Sequence, residues 1–378
     1  MAVYDVIVIG AGVFGSCTAW RLCRAGRRVL LLDAWGPGHS RSSSGDESRI
    51  IRMGYGADTL YTRMAMRSLA LWKELPDAAS LFHQTGVLWL ARTYDAYSAA
   101  SQAALHQLGV RTEILSVAEL SERYSQFHLP EGDLYGILEP ESGVLLARRA
   151  VNAVVRDGLS HGLHYEIAAV QPFDRGVVRT AAGETLQAAQ FVFACGPWLP
   201  KLFPELLGRR IDPTRQEVFY FAPPPGDARF HPPHFPAWID FTDPRGPYGV
   251  PDLESRGVKI GLDRHGPHFD PDSDDRQATA AGIHAAREFL AERIPALSNA
   301  LLTETRVCQY GNTSSGDFLL DRHPEFPHVW LAGGGSGHGF KQGPAVGEYL
   351  CSQMLQNAPA EPRFSLAAKQ EEPRRTVY

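Results

Sequence analysis

The sequence predicts an α/β protein: a parallel sheet assembled from separated stretches of chain, joined to an α+β domain with a mostly antiparallel sheet. Three observations predict it. An apolar run, Val6 to Ile9, enters the turn Gly10-Ala11-Gly12-Val13-Phe14-Gly15. A second, Phe191 to Cys195, breaks at Gly196-Pro197 and reads as a strand returning to the first sheet. A third, Val329 to Ala332, runs into the glycine-rich segment Gly333 to Gly339 and then a helical pattern through Gly347, Leu350 and Met354.

The first run is the most informative. After its glycine turn, Ala19, Leu22 and Cys23 recur at helical spacing, Gly26 stops the helix, and Val29 to Leu32 forms a second apolar run ending in Asp33. Strand, glycine turn, helix, strand and acid within about 30 residues make a Rossmann-type dinucleotide-binding unit. Gly10 allows the tight turn. Gly12 lets backbone approach a pyrophosphate, and Gly15 lets helix and strand pack closely. The N–H groups opening the helix face phosphate charge, and Asp33 is set to accept from ribose hydroxyls. An NAD or an FAD would satisfy this unit equally.

Gly36 to Asp46 is rich in Gly, Ser and Pro and reads as a loop. It leads to Arg49 and Arg52, two arginines three apart that share a face if the segment is a helical turn. Tyr61 to Leu75 is an amphipathic helix, Gly86 to Leu90 a strand, and residues 95–125 are expected to be helical. Tyr135 to Leu138 predicts a strand, Ala147 to Leu159 a helix, and Tyr165 to Ile167 and Val177 to Thr180 short strands. Strands are expected at Glu217 to Phe221, Tyr248 to Pro251, Gly257 to Gly261 and Thr303 to Tyr310, with a helix over Ala278 to Ile294. The expected nucleotide domain is discontinuous, 1–85, 145–215 and 320–360. Residues 86–144 and 216–319 form the second domain, and 361–378 a polar tail.

Composition excludes several classes. With 44% hydrophobic and 21% charged residues the 378-residue chain can bury a sizeable core. A net charge of −5, with no basic run, argues against a nucleic-acid partner. No apolar stretch reaches the length of a membrane span, and the first residues lack a signal-peptide pattern. The expectation is a cytoplasmic protein, and a monomer. The cysteines, Cys17, Cys23, Cys195, Cys308 and Cys351, are odd in number and match no zinc or disulfide framework, so no metal is expected.

At Arg49-Ile50-Ile51-Arg52, Thr305-Arg306-Val307-Cys308-Gln309-Tyr310 and Gly335-Ser336-Gly337-His338-Gly339-Phe340-Lys341, the sequence resembles the monomeric sarcosine oxidase family, within the glycine and D-amino-acid oxidase group of flavoproteins. The order and spacing of these motifs extend the resemblance over nearly the whole chain. It implies FAD as cofactor, O2 as acceptor, and oxidation of the C–N bond of an N-alkyl or cyclic amino acid to an imine, with release of H2O2. It also implies residue roles. Cys308 stands where the family's cysteine is joined to the flavin 8α-methyl group, and a cation such as Arg306 or Lys341 would favour its thiolate. Arg52 and Lys341 match the pair that holds the substrate carboxylate. Arg49 matches a residue at the flavin face, and Lys259 the lysine that activates oxygen. Tyr248 and Tyr310 match aromatics lining the substrate cavity. Gly337, His338 and Gly339 are expected where backbone meets the flavin.

The resemblance breaks at one informative position. Four residues after its lysine the family carries a histidine, whereas this chain has Asp263. The loop before Arg49 also has Ser43-Ser44-Gly45-Asp46 in place of paired histidines. These departures predict a substrate bulkier than sarcosine, with a basic or second polar end. The competing expectations are a flavin amine dehydrogenase using another acceptor, and a same-fold flavoprotein that modifies tRNA or lacks turnover.

Overall fold

The computed structural model describes residues 4–371. Its first sheet is six-stranded, in the order Leu319–Arg322, Val329–Gly333, Ala188–Phe193, Tyr4–Ile9, Val29–Asp33, His164–Ile167. All neighbours pair in parallel except Leu319–Arg322, which runs antiparallel to Val329–Gly333. Val29 to Leu32 is buried along its whole length. That is expected of a parallel strand covered on both faces, and it is why the run is uninterruptedly apolar. The helix Val13–Arg24 covers one face and packs on the helix Gly343–Gln356.

The second sheet is eight-stranded: Leu302–Asn312, Asp212–Phe221, Val258–Leu262, Pro247–Val250, Ala237–Asp240, Val87–Arg92, Leu134–Glu139, Glu113–Leu115. It is antiparallel apart from the pairing of Ala237–Asp240 with Val87–Arg92. Its longest ladder sets Cys308 opposite Gln216 and Tyr310 opposite Thr214, and the next strand sets Lys259 opposite Tyr220. A third, three-stranded sheet is built from Ser48–Ile51, Gly143–Leu146 and Phe82–His83.

Four expectations need correction. Arg49 lies on a strand, not a helical turn: Ser48–Ile51 pairs with Gly143–Leu146, the β-branched Ile50-Ile51 pair favouring extended backbone. The stretch 95–125 is not continuous helix. Ala96–Gln107 and Val117–Arg123 are helical, but Glu113–Leu115 adds an edge strand beside Leu134–Glu139. Val177 to Thr180 makes only isolated bridges, to Val170, Asp174 and Thr185. The expected tail is packed as far as Glu371. Phe364 is buried beside Tyr349 and Phe318, and Arg363 pairs with Asp58 and Asp317. Residues 372–378 lie outside the described residues.

Candidate active site

The strand Tyr4–Ile9 ends at Gly10, whose φ of +103° suits glycine, and where a Cβ would stand 2.5 Å from the Ala194 carbonyl oxygen. A Cβ on Gly15 would stand 1.8 Å from the Gly10 carbonyl oxygen, so helix and turn approach as closely as the sequence implies. Gly12 caps the helix Val13–Arg24 without a side-chain hydrogen bond, and a Cβ there would meet only Ser44 Oγ, at 3.5 Å. It faces a cavity of about 540 Å³. At the end of the second strand Asp33 accepts from Ala11 N at 2.7 Å, Trp35 N at 2.8 Å and Gly36 N at 2.9 Å, and it too lines this cavity. Glycine backbone, a helix N-terminus at which Ser44 Oγ takes the Val13 N–H at 3.0 Å, and this acid are a donor and acceptor set that fits a dinucleotide.

The same cavity reaches Gly333 to Gly337, Gly339 and Phe340. His338 is the exception. Ser336 at φ +44° and Gly337 at φ +80° turn the loop so that the imidazole enters an aromatic cluster. Its Nε2 lies 3.0 Å from the Gly316 carbonyl oxygen, its Nδ1 3.3 Å from the Tyr55 hydroxyl, and its ring stacks on Phe318 at 4.8 Å. It lines a second cavity instead.

That second cavity, of about 600 Å³, gathers the remaining sequence candidates: Arg49, Arg52, Tyr248, Lys259, Asp263, Cys308, Tyr310 and Lys341. The two cavities share Arg49, Tyr310, Ser336, Gly337 and Phe340. Arg52 and Lys341 meet over one ring, 5.1 Å and 4.9 Å from the centroid of Tyr55. Arg52 is held further by the Gly54 carbonyl and lies 4.9 Å from the Trp89 centroid. Both cations are buried. Across the chamber, Tyr310 donates to Asp263 Oδ1 at 3.1 Å. Burial and the Asp263 charge raise the Tyr310 pKa well above the usual phenol value, so it remains a donor. Burial, then Asp263, likewise raises Tyr248.

Lys259 does not reach outward from its strand. It is 2% exposed and its Nζ binds Asp46 Oδ2 and, at 2.9 Å, the Ser48 carbonyl oxygen. Arg49 Nη1 donates to Asp46 at 2.6 Å and to the Ser48 carbonyl oxygen at 2.8 Å. Burial alone would raise the Asp46 pKa, but the Lys259 and Arg49 charges hold it well below the carboxylate range. Burial pulls Lys259 down, and Asp46 only partly offsets it. The cation beside Cys308 is Arg49, with Nη2 3.6 Å from Sγ, rather than Arg306 or Lys341. Arg306 is turned to Glu304 and Glu47. Asp46 is the site residue that sequence reasoning missed. The available signal was an apolar strand enclosing a lysine, which demands a buried counter-charge somewhere.

Among the described residues no helix is long and apolar enough to cross a membrane, and no cluster of three or more His, Cys, Asp or Glu could hold a metal ion. A family model described as FAD dependent oxidoreductase matches residues 5–353. A monomeric sarcosine oxidase from Bacillus sp. (strain NS-129) is 32% identical over 361 residues, 92% of each chain. An N-methyl-L-tryptophan oxidase from Salmonella arizonae is 28% identical over 94% of this chain and 96% of that one. In fold, the L-proline dehydrogenase from P. horikoshii is similar at a TM-score of 0.82 and 23% identity, over 96% of this chain and 97% of that one. The chain belongs to the FAD dependent oxidoreductase family, as a sarcosine oxidase-like enzyme acting on CH–NH donors.

Proposed function

We propose that the protein oxidises the C–N bond of a secondary amino acid larger than sarcosine, with dioxygen as electron acceptor. The observation that carries this reading is one chamber holding a buried cation pair, Arg52 and Lys341, with the Tyr310–Asp263 pair also on its wall. The cations are suited to grip the substrate carboxylate, Arg52 through its planar fork and Lys341 as a point charge. Asp263 is suited to receive a basic or polar end of the side chain, and a chamber of about 600 Å³ leaves room for one.

FAD, held by Gly10, Gly12, Asp33, Gly337 and Gly339, supplies the two-electron redox chemistry when bound. The residues do the rest. Arg52 and Lys341 anchor the carboxylate and so orient the amine and its reacting C–H bond. Tyr248 and Tyr310 enclose the substrate and exclude water. Arg49, at the seam of the two cavities, supplies a fixed positive charge where negative charge develops. Lys259 offers an ammonium to dioxygen, which takes up two electrons and two protons and leaves as H2O2. The imine then hydrolyses to carbonyl and amine. Cys308 is the proposed point of covalent attachment of FAD.

The test is a panel of sarcosine, N-methyl amino acids, proline, pipecolate and N-substituted lysines, scored by peroxide release. Larger amino acids, those with a second polar end foremost, are expected to give the highest kcat/KM. Sarcosine as the best substrate would remove the proposal on size, and turnover without peroxide the proposal on oxygen.

A further inference from the structure

We propose that Asp46 is the positioning residue of the oxygen step: it holds the Lys259 ammonium in place and aims it at the cavity. The proposal rests on the reading of Lys259 given above. The two residues come from distant parts of the chain, Asp46 from the Gly/Ser-rich loop and Lys259 from the strand Val258–Leu262, and both are at least nine-tenths buried.

The geometry is that of a fixed bracket. Asp46 Oδ1 accepts from the Glu47 N–H at 2.7 Å and the Tyr220 hydroxyl at 3.1 Å. With one oxygen pinned, the other cannot swing, and it takes both Lys259 and Arg49. Of the three N–H donors of Lys259, Asp46 and the Ser48 carbonyl occupy two. The third remains for the cavity that Lys259 lines. One carboxylate shared by two cations leaves a net positive charge at the seam. Asp46 works against the burial that lowers the Lys259 pKa, without cancelling the positive charge of the two cations. A support that orients a charged group in this way acts through that group, as outer ligands do for a metal-bound histidine.

A purely structural role, tying the loop to the sheet, would affect every step alike. The proposal instead predicts a split. In rapid-mixing experiments on the holoenzyme, Asp46→Asn should slow reoxidation of the reduced enzyme by O2 about a hundredfold, the size expected for loss of a preorganised charge. Reduction by the amine should slow by less than about threefold, because Arg49 keeps its bonds to the Ser43 and Ser48 carbonyl oxygens. Lys259→Met should show the same split. The double variant Asp46→Asn/Lys259→Met should reoxidise no more slowly than Lys259→Met alone. The double variant removes the Lys259 and Asp46 charges together and so leaves the net charge of the cluster with Arg49 unchanged, which keeps it informative if Asp46→Asn alone does not fold. Equal slowing of both half-reactions in Asp46→Asn, or a further tenfold loss in the double variant, overturns the role of Asp46. An unchanged reoxidation rate in Lys259→Met overturns the reading of Lys259 beneath it.

Discussion

The anchoring of the substrate carboxylate can be tested through Lys341. Its ammonium is buried 4.9 Å from the Tyr55 ring centroid, and Arg52 lies 5.1 Å from the same centroid. A carboxylate bound there meets two cations, and Lys341→Met removes one while keeping an unbranched side chain on the aromatic face. A hydrogen bond to a charged group contributes about 1.5–3 kcal/mol. Coulomb's law for charges about 4 Å apart at an effective dielectric of about 20 sets a ceiling of about 4 kcal/mol. Taking about 2–3 kcal/mol at 1.36 kcal/mol per decade, kcat/KM for an N-alkyl amino acid should fall about 30- to 150-fold. The control is the matching amine without a carboxylate, whose kcat/KM should fall less than about threefold, since it has nothing for Lys341 to hold. Peroxide release under saturating oxygen measures both. Stability should hold, because a buried charge is being removed rather than created and the unbranched Met keeps its place on the aromatic face. Equal losses for acid and amine would refute the anchoring role and make Lys341 a support of the glycine turn instead.

Three further outcomes are expected. Acid-precipitated wild-type protein should stay yellow, while Cys308→Ser should release its flavin into the supernatant. Complete release from the wild type would end the covalent assignment. Asp263→Asn should reorder the substrate panel, lowering amino acids with a basic side-chain end about tenfold or more relative to sarcosine, and an unchanged ranking would dismiss Asp263 as a selector. Arg363→Ala should cost about 1 kcal/mol, given its partly exposed ion pairs with Asp58 and Asp317, and lower Tm by about 1 °C. Burial pushes the Asp317 pKa up, but Arg363 holds it below its ordinary value. The contribution of this pair is therefore full above the unfolded value of about 3.9 and is lost as pH falls through the folded one. The Tm gap between wild type and variant should close on acidification; a gap that widens would count against the pairing.

The nucleotide unit was legible because its period, glycines and terminal acid are local: every partner of Gly10, Gly15 and Asp33 that a reader needs, apart from Ala194, lies within a short span. The strand carrying Lys259 was legible for the same reason. The segment before Arg52 was misread because an i, i+3 pair of arginines fits a helix, while the decisive partner, Gly143–Leu146, is remote in sequence. Glu113–Leu115 is three residues long, with only Leu115 buried, too short to impose a pattern against Ala- and Leu-rich neighbours. The polar residues 361–371 hid two buried anchors, Phe364 and Lys369, whose burial no composition average reveals. Asp46 was invisible in a different way. In a loop of Gly and Ser an acid reads as solvated, and only the fold brings Lys259 to it.

Among the described residues, the two cavities share Arg49, Tyr310, Ser336, Gly337 and Phe340. Much of the outer chamber wall, including Ile239, Phe241, Pro244, Asp263 and His265, has no part in the dinucleotide cavity. Heredity can therefore treat the two as separate parts. A duplicated gene can drift at these outer-wall positions, trying new guests one substitution at a time, while Lys259, Cys308 and the inherited dinucleotide half go on working unaltered. On such a scaffold a new diet needs no new engine.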